Sequence, residues 1–559
     1  MSLRTISTIL FFAGYCSSQI ANSSARAQTT VVSSSANPLT AARDLYRNGK
    51  FDAAVENYQS ILQHEPDNAA AYSGLARCYL KQRKLAEALK AANDGIAQPN
   101  SSTDAHAALG EVLFRMGEMG RAEKEFMSAV NSQPPSARGF LGLARLYAAI
   151  SLHRKAKLLV DQAYSLDPDD PDIRRIWIGT LDLPTQEKML EQYLSGPNDE
   201  SSDTRHKLQR RLELLKVRQA NPRRVCQLSG EMHPTVENLD PLMADSNHQY
   251  AGGLQVEING KKSKLELDTG ASGILVSQKI GEKAGIAPVA ETEIRGIGDA
   301  GVSKGYVGYA ETIKIGNLEF KDCLVEVSTK NLGLGTDGLI GADVFSDYLI
   351  TIDFRNEKLG LDELPKRPNE SSKHTALDTV ALASQSSSSG LDDDRKSVSP
   401  AATVPQDRYI APEMKSYLQV FRFGHDLLVP TIVDGKVQKL FLMDTGSYRN
   451  FMSLQTAEEM NNSHRDSFAR VRGLSGEVKN VRTADDVTLQ MGGLRQQHQR
   501  LMAFDFSVIS NSTGTEVSGI LGFDVLKFLT IRLDYRDGLV DFHYDRRPSD
   551  ERDLLKGLR

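Results

Sequence analysis

The C-terminal half of the chain contains the same pattern twice. In the first copy an Asn-Gly turn at 259–260 leads through an apolar strand to an Asp-Thr-Gly triplet at 268–270. In the second copy an Asp-Gly turn at 434–435 leads in the same way to an Asp-Thr-Gly triplet at 444–446. Asn-Gly and Asp-Gly between alternating apolar and polar residues are strong β-hairpin signals. Each copy therefore predicts a hairpin whose second strand ends at an aspartate.

Further matches follow each triplet in the same order. Gly-Leu-Ile-Gly at 338–341 corresponds to Gly-Ile-Leu-Gly at 519–522, and closing strands follow both elements. Asp353 and Asp534 take matching positions in these closing strands, and we expect them to have structural roles at hairpin ends. A single Asp-Thr-Gly is a weak signal that an exposed turn also explains. Several ordered matches at nearly constant spacing indicate a duplication.

Each copy resembles the retropepsin-like aspartic proteases, and together the copies resemble two such subunits joined on one chain. The resemblance covers about residues 246–363, called lobe 1 below, and 413–545, called lobe 2. It implies two all-β lobes and a catalytic dyad of Asp268 and Asp444. It also implies active-site loop support from Thr269, Gly270, Thr445 and Gly446. The family's flap, a hairpin that closes over substrate, corresponds here to Gly296, Ile297, Gly298, Gly473, Leu474 and Ser475.

Paired carboxyl groups suit peptide hydrolysis for a general chemical reason. One group must take a proton from water while another supplies a proton to the substrate. Two carboxyl groups a few ångströms apart do both, because they cannot both ionise and so share one proton. Each copy supplies one aspartate, so a complete site requires both copies.

Other acidic residues have structural interpretations. Asp343 and Asp524 lie beside the second matching element in each copy. We expect them to cap the N-termini of the short helices that follow.

The N-terminal region has a different period. Alanines at 54, 88, 122 and 156 are evenly spaced, and prolines at 66, 99, 134 and 168 follow nearly the same spacing. Residues 37–180 resemble tetratricopeptide (TPR) repeats, which implies an all-α solenoid of stacked helix pairs. Such a solenoid either binds a protein partner or substrate, or serves as a spacer. The expected fold is therefore multidomain, with a helical solenoid followed by two all-β lobes.

The remaining segments are interpreted from composition. Residues 181–245 are mixed, with helical patterning at 186–194 and 205–219, and predict a helical connector. Residues 364–412 are rich in Ser, Pro, Lys and Asp and predict a flexible linker, and 546–559 form a C-terminal tail. A linker of this length lets the lobes pair within one chain, and it equally permits pairing in a homodimer.

Residues 1–27 predict a cleaved secretory signal. Arg4 precedes an apolar run from Ile6 to Cys16, and Ala25-Arg26-Ala27 has the small-x-small form of a cleavage site. We expect a secreted or periplasmic protein without a stable membrane span, because the run is shorter than the roughly 20 residues that cross a bilayer.

Charge and cysteine content limit the other function classes. The chain has 67 Lys and Arg against 72 Asp and Glu, which does not favour nucleic acid as a partner. Its four cysteines show no metal-ligand spacing, so we expect no metal site. A mechanism in which Asp268 and Asp444 activate water implies no organic cofactor either. Removal of the signal would leave Cys78, Cys226 and Cys323, which allow at most one disulfide within the chain.

The sequence thus predicts an aspartic endopeptidase that hydrolyses peptide bonds in a peptide or protein substrate. The TPR surface is expected to bind a protein partner or to recruit the substrate. The alternative is a non-catalytic scaffold whose protease-like lobes bind peptide without cutting it.

Overall fold

The computed structural model describes residues 37–547 except 197–201, 246–247, 331, 333–334, 369–406, 461–462 and 466–469. The predicted signal at 1–27 lies outside the described residues. So do most of the predicted linker and all of the tail beyond residue 547.

Paired antiparallel helices form the N-terminal region. The helices are α1 (Pro38–Arg47), α2 (Phe51–His64), α3 (Ala69–Lys81), α4 (Leu85–Ile96), α5 (Thr103–Arg115), α6 (Met119–Asn131), α7 (Ala137–Ala149), α8 (His153–Leu166), α9 (Pro171–Ile178), α10 (Leu183–Ser195) and α11 (Ser202–Ala220). The four evenly spaced alanines are all buried. The predicted solenoid is confirmed.

Glycines let the solenoid helices approach closely. A Cβ atom at Gly74 would lie 2.1 Å from the ring of Tyr58, and one at Gly142 would lie 2.1 Å from the ring of Phe126. Since real Cβ atoms do not come so near a ring carbon, only glycine fits at these crossings.

Ion pairs connect the odd-numbered helices of the solenoid to each other. Arg138 on α7 pairs with Asp170 at 2.7 Å, and Arg77 on α3 pairs with Asp104 at 2.7 Å. Lys81 reaches Asp172 at 2.9 Å. These charged side chains are therefore already paired within the chain.

Lobe 1 contains the strands β1 (Gln227–Leu228), β2 (Thr235–Asn238), β3 (Asp240–Asp245), β4 (His248–Ile258), β5 (Lys261–Asp268), β6 (Ile274–Ser277), β7 (Ala290–Ile294), β8 (Ser303–Ile315), β9 (Leu318–Ser328), β10 (Gly338–Gly341), β11 (Tyr348–Asp353) and β12 (Lys358–Glu363). A helix, α12 (Gln278–Lys283), follows β6, and a 3-10 helix spans Ala342–Phe345.

Lobe 2 contains the strands β13 (Leu418–Gln419), β14 (Phe421–Phe423), β15 (Asp426–Val433), β16 (Val437–Met443), β17 (Phe451–Ser453), β18 (Ser463–Arg465), β19 (Arg472–Gly473), β20 (Gly476–Glu477), β21 (Arg482–Met491), β22 (Leu494–Phe504), β23 (Gly519–Leu521), β24 (Leu529–Asp534) and β25 (Leu539–Tyr544). Its helices are α13 (Leu454–Glu459), α14 (Ser507–Thr513) and α15 (Phe523–Leu526), and a 3-10 helix spans Pro412–Met414.

The two lobes are joined by a shared sheet. Within the described residues this sheet has the strand order β13-β25-β24-β11-β12-β2. Its centre is the antiparallel pair of β11 and β24, in which Ile352 lies opposite Ile531. Both isoleucines are fully buried. The closing strands of the two copies therefore pair within one chain.

The predicted helical connector needs a correction. The last helix of this segment ends at Ala220. Residues 227–245 contribute three strands to the sheets of lobe 1. The first of them, β1, pairs with β9, and a disulfide joins Cys226 to Cys323 beside this pair. Cys78 is free and buried. The helical patterning at 186–194 and 205–219 is confirmed by α10 and α11, whereas the extension of the connector to residue 245 is wrong because pairing with strands distant in sequence decided the conformation of 227–245.

Both described ends of the predicted linker make specific contacts. Arg367 pairs with the buried carboxylate of Asp537 at 2.6 Å, and the backbone N–H of Tyr409 donates to the same carboxylate. Asp407 accepts hydrogen bonds from backbone N–H groups in the first turn of α8. The expectation of flexibility is therefore wrong for these described ends.

The solenoid contacts both lobes. The backbone N–H of Glu516 in lobe 2 donates to the carbonyl of Arg115 at 2.8 Å, and the hydroxyl of Thr515 donates to the carbonyl of Phe114 at 2.7 Å. The contact with lobe 1 is made by α11, whose Arg210 pairs with Glu293 of β7 at 3.0 Å. Glu293 lies shortly before the predicted flap of lobe 1.

Candidate active site

Each aspartate of the predicted dyad lies at the end of a central strand. Asp268 ends β5 and Asp444 directly follows β16. In both lobes the second matching element pairs parallel to this strand, as β10 with β5 and β23 with β16. Because the lobes repeat the same topology and pair through β11 and β24, the two aspartates meet, and their carboxyl groups are within hydrogen-bonding distance.

The two threonines connect the loops across the lobes. The hydroxyl of Thr269 donates to the carbonyl of Met443 at 2.8 Å, and the hydroxyl of Thr445 donates to the carbonyl of Leu267 at 2.9 Å. Each hydroxyl also accepts the backbone N–H of the other threonine. Both side chains are fully buried.

The glycines of the triplets bring the backbone against the opposite carboxyl group. A Cβ atom at Gly270 would lie 2.8 Å from Cγ of Asp444, and one at Gly446 would lie 2.6 Å from Cγ of Asp268. Any side chain here would separate the two carboxyl groups. The glycines also donate N–H groups to Asp268, at 2.7 Å from Gly270 and 3.3 Å from Gly446.

The surroundings of the two carboxyl groups differ. Burial raises the pKa of Asp268, although the N–H of Gly270 favours its ionised form. The pKa of Asp444 lies well above its usual range because of burial and then the charge of Asp268. Asp444 accepts the backbone N–H of Ser447 at 2.9 Å. The arrangement favours a dyad in which Asp268 is ionised and Asp444 is protonated. The proton of Asp444 is shared with Asp268 through a hydrogen bond.

The expectation that Asp343 and Asp524 cap helices is wrong. Asp343 accepts the backbone N–H of Gly273 at 2.9 Å, and Asp524 accepts the backbone N–H of Asn450 at 3.1 Å. The N-cap positions belong to glycines, at 341 and 522. Because β10 and β23 run beside the dyad strands, the two carboxylates reach across and hold the loops that follow the dyad.

The predicted flap residues of the two lobes meet each other. The backbone N–H of Ser475 donates to the carbonyl of Ile297 at 2.9 Å, and the backbone N–H of Gly296 donates to the hydroxyl of Ser475 at 3.1 Å. Gly298 has a φ of 130°, and a Cβ atom there would lie 2.4 Å from the backbone of Ser475. In lobe 2 the positive φ falls instead on Gly476, so the preceding position accommodates a serine.

Each flap tip inserts an apolar side chain into the other lobe. Leu474 of lobe 2 packs with Leu275, Ile294 and Leu339 of lobe 1. Ile297 of lobe 1 packs against a large apolar cluster formed by residues of lobe 2 and of the solenoid. Both flap tips therefore pack on apolar side chains outside their own lobe.

One acidic residue beside the dyad was missed by the sequence analysis. Glu266 lies on β5, on the same side of the strand as Asp268, and is 2 % exposed. Burial and the charge of Asp268 raise its pKa to about 8. The available signal was an acidic residue in the alternating segment Lys264-Leu-Glu-Leu-Asp268, at the position where the second copy has Leu442.

Metal-ligand clusters and membrane spans are absent from the part of the chain that the structure describes. No group of three or more His, Cys, Asp or Glu side chains there is placed to hold a metal ion. No described helix is long and apolar enough to span a membrane.

Family models match three segments of the chain. The model described as aspartyl protease matches residues 254–344 and 429–525, and the model described as tetratricopeptide repeat matches residues 39–105. The two aspartyl protease segments contain Asp268 and Asp444 respectively.

Curated relatives are similar over parts of their length. DNA damage-inducible protein 1 of Eremothecium gossypii is 26% identical over 207 residues, which cover 36% of this chain and 39% of that protein. Hsp70-Hsp90 organizing protein 3 of Arabidopsis thaliana is 24% identical over 164 residues, which cover 27% of this chain and 29% of that protein. The chain thus spans well under half the length of both relatives.

Solved structures resemble the same two parts. The aspartic proteinase from Irpex lacteus aligns with 56% of this chain and 97% of its own, at 11% identity and a TM-score of 0.34. A thermophilic TPR protein of Thermus thermophilus aligns with 32% of this chain and 98% of its own, at 23% identity and a TM-score of 0.26. The chain thus combines an N-terminal helical repeat region with two β lobes, and its matched segments are similar to tetratricopeptide repeats and to aspartyl proteases.

Proposed function

We propose that this protein is an aspartic endopeptidase in which Asp268 and Asp444 form the catalytic dyad. The observation that carries the proposal is the meeting of these two carboxyl groups, one from each lobe, within hydrogen-bonding distance. The crossed threonine hydrogen bonds hold the two aspartates in this geometry.

The chemistry follows from one shared proton. Two backbone N–H groups donate to Asp268 and favour its ionised form. This carboxylate takes a proton from water while the water oxygen bonds to the scissile carbonyl carbon. Asp444 gives its proton to the carbonyl oxygen, which produces a tetrahedral diol. Asp268 then gives its proton to the amide nitrogen while Asp444 takes a proton from a diol hydroxyl. The C–N bond breaks, the carboxylic acid and the amine are released, and the dyad again holds one proton, on Asp444.

Substrate entry requires the flaps to separate. The hydrogen bonds between Ser475 and the tip of the lobe 1 flap close the cleft. An extended peptide would replace these contacts, with its main chain bonded like an added strand and alternate side chains in the hollows of the two lobes.

The solenoid is proposed to bring a partner or substrate protein to the cleft. Support comes from the repeat architecture and from the likeness to Hsp70-Hsp90 organizing proteins. Because Arg77 and Arg138 are already paired with acidic side chains of the chain, we expect a partner to contact other side chains of the solenoid. Secretion or export to the periplasm is a further proposal, with which the Cys226–Cys323 disulfide agrees.

The test is digestion of a mixed peptide library by the wild type and by Asp268→Asn and Asp444→Asn. We expect the wild type to cleave and each variant to lose activity by about a hundredfold or more, since general acid–base catalysis contributes that much. Asp353→Asn, in the closing strand of lobe 1, is the matched control and should cleave normally. Cleavage by both dyad variants at the wild-type rate would refute the proposal. Binding without cleavage by the wild type would support the scaffold alternative.

A further inference from the structure

Glu266 lies on the cleft side of lobe 1. Side chains alternate between the two faces of a strand, so Glu266 shares its face with Asp268, while Leu265 and Leu267 point into the core. Both leucines are fully buried in the lobe interior. The strand therefore presents a second carboxyl group toward the dyad.

This carboxyl group has no cation beside it within the described part of the chain. Its Oε2 atom is buried without a hydrogen-bond partner. Asp268, Asp444 and Tyr250 are the titratable groups that interact with it. Lys264, on the same face of β5, has its ammonium group paired with Asp240 at 2.7 Å. A buried polar atom without a partner is costly, which indicates that a ligand completes the site.

Glu266 borders the hollow occupied by the flap tip. Leu339 of β10 is its register partner on one side, and Gly253 of β4, which has no side chain, is its partner on the other. Leu339 belongs to the cluster that receives Leu474. When the flaps part, Leu474 leaves and a substrate side chain can extend toward Glu266.

The corresponding strand of lobe 2 has no such carboxyl group. Leu442 takes the position of Glu266, and its register partner Ile520 takes the position of Leu339. Both are buried apolar side chains. The two strands that carry the dyad thus differ in character at this position, acidic in lobe 1 and apolar in lobe 2.

We infer that Glu266 determines substrate specificity: the hollow of lobe 1 takes a lysine or arginine side chain, and that of lobe 2 takes an apolar one. This inference rests on the proposed function and names its substrate class, peptides with a basic and an apolar residue on opposite sides of the scissile bond. The aliphatic stem of the basic residue would lie along Leu275 and Leu339 while its charged head bonds Glu266. An apolar residue there would leave the carboxyl group unpaired.

The first experiment is cleavage of a peptide library in which Lys, norleucine and Glu are exchanged at each position. We expect the wild type to prefer Lys over norleucine on one side of the scissile bond, on the order of ten- to a hundredfold, the range of a charge-assisted hydrogen bond. Glu266→Gln should lose this preference, and Glu266→Leu should reverse it. Glu291→Gln, which removes an exposed carboxylate of β7, is the control and should keep it.

The second experiment measures binding without requiring catalysis. A set of extended apolar peptides, with one Lys or one norleucine moved along the sequence, is titrated into the full chain carrying Asp444→Asn. The Lys peptide should bind more tightly at one position, and adding Glu266→Gln should abolish the difference. Circular dichroism melting of every variant checks folding, and the Leu variant should fold because lobe 2 has leucine at this position.

The outcomes separate the two proposals. A Lys preference in binding together with no cleavage by the wild type would refute the endopeptidase and support the role of Glu266. Cleavage with no Lys preference, or a preference that survives Glu266→Leu, would overturn the role of Glu266 and leave the endopeptidase standing. Failure of both the Lys and the norleucine peptides to bind would also count against the hollow of lobe 1 as a binding site for a substrate side chain.

Discussion

The hydroxyl of Thr269 accepts the backbone N–H of Thr445 at 3.0 Å, and the hydroxyl of Thr445 accepts the backbone N–H of Thr269 at the same distance. Both hydroxyls also donate to a carbonyl in the opposite lobe. The position of each aspartate therefore depends on the backbone of the other copy, which explains why one copy alone does not form the site.

Replacement of Thr269 by valine should weaken both stability and catalysis. The variant keeps the shape of the side chain but leaves a buried N–H and a buried carbonyl without partners, which costs about 1–3 kcal/mol each. Urea unfolding measures the stability, and peptide cleavage measures the rate. Thr269→Ser keeps the hydroxyl and should retain most of both. Equal stability of the valine variant and the wild type would show that the crossed bonds contribute little.

The charge state of Glu266 should make stability depend on pH. Its pKa rises from 4.5 to about 8 on folding, so the folded state holds a proton that the unfolded state has lost. The contribution of Glu266 to stability is then fully present below pH 4.5 and is lost as the pH rises toward about 8. The maximal slope is about 1.4 kcal/mol per pH unit.

Glu266→Gln should remove this contribution. The unfolding free energy of the variant should exceed that of the wild type by a margin that grows with pH, on the order of a few kcal/mol at pH 8. Denaturant unfolding across the pH range measures the margin, with Glu291→Gln as a control that should follow the wild type. Parallel curves for Glu266→Gln and the wild type would contradict the raised pKa.

Ser475→Ala should loosen the closed flaps. The variant removes the hydroxyl that accepts the backbone N–H of Gly296, although the bond from the N–H of Ser475 to Ile297 remains. Hydrogen exchange at the amide of Gly296 should be faster by about fivefold or more, the effect of losing roughly 1 kcal/mol. Exchange at buried Ile352 in the shared sheet is the internal reference and should not change. Unchanged exchange at Gly296 would mean that the serine hydroxyl does not hold the flap tip.

The Cys226–Cys323 disulfide should stabilise lobe 1. It closes a segment with a sequence separation of 97 residues and ties β1 to β9. Replacing both cysteines by serine should lower the unfolding free energy by roughly 2–5 kcal/mol. Thermal unfolding measures the loss, and alkylation under denaturing conditions should label neither cysteine in the wild type. Full labelling without prior reduction would show that the bond does not form.

Much of the candidate site could be predicted because the duplication made it visible twice. The Asp-Thr-Gly triplets, the second matching elements and the flap segments are local patterns, and their repetition in one order placed Asp268 opposite Asp444. The roles of Asp343 and Asp524 could not be read in the same way. Their position before a short helix suggested a cap, whereas the neighbouring strand brought a more distant backbone N–H into reach.

The sequence by itself determined the helical repeats, the two β lobes and the residues available for a dyad, because these depend on periodicity and on short motifs. The tertiary structure alone decided that residues 227–245 join lobe 1, that Leu474 enters the lobe 1 hollow, and that Glu266 is buried without a cation among the described residues. These features arise where segments distant in sequence pack together. Burial and charge pairing depend on that packing, and no local pattern records it.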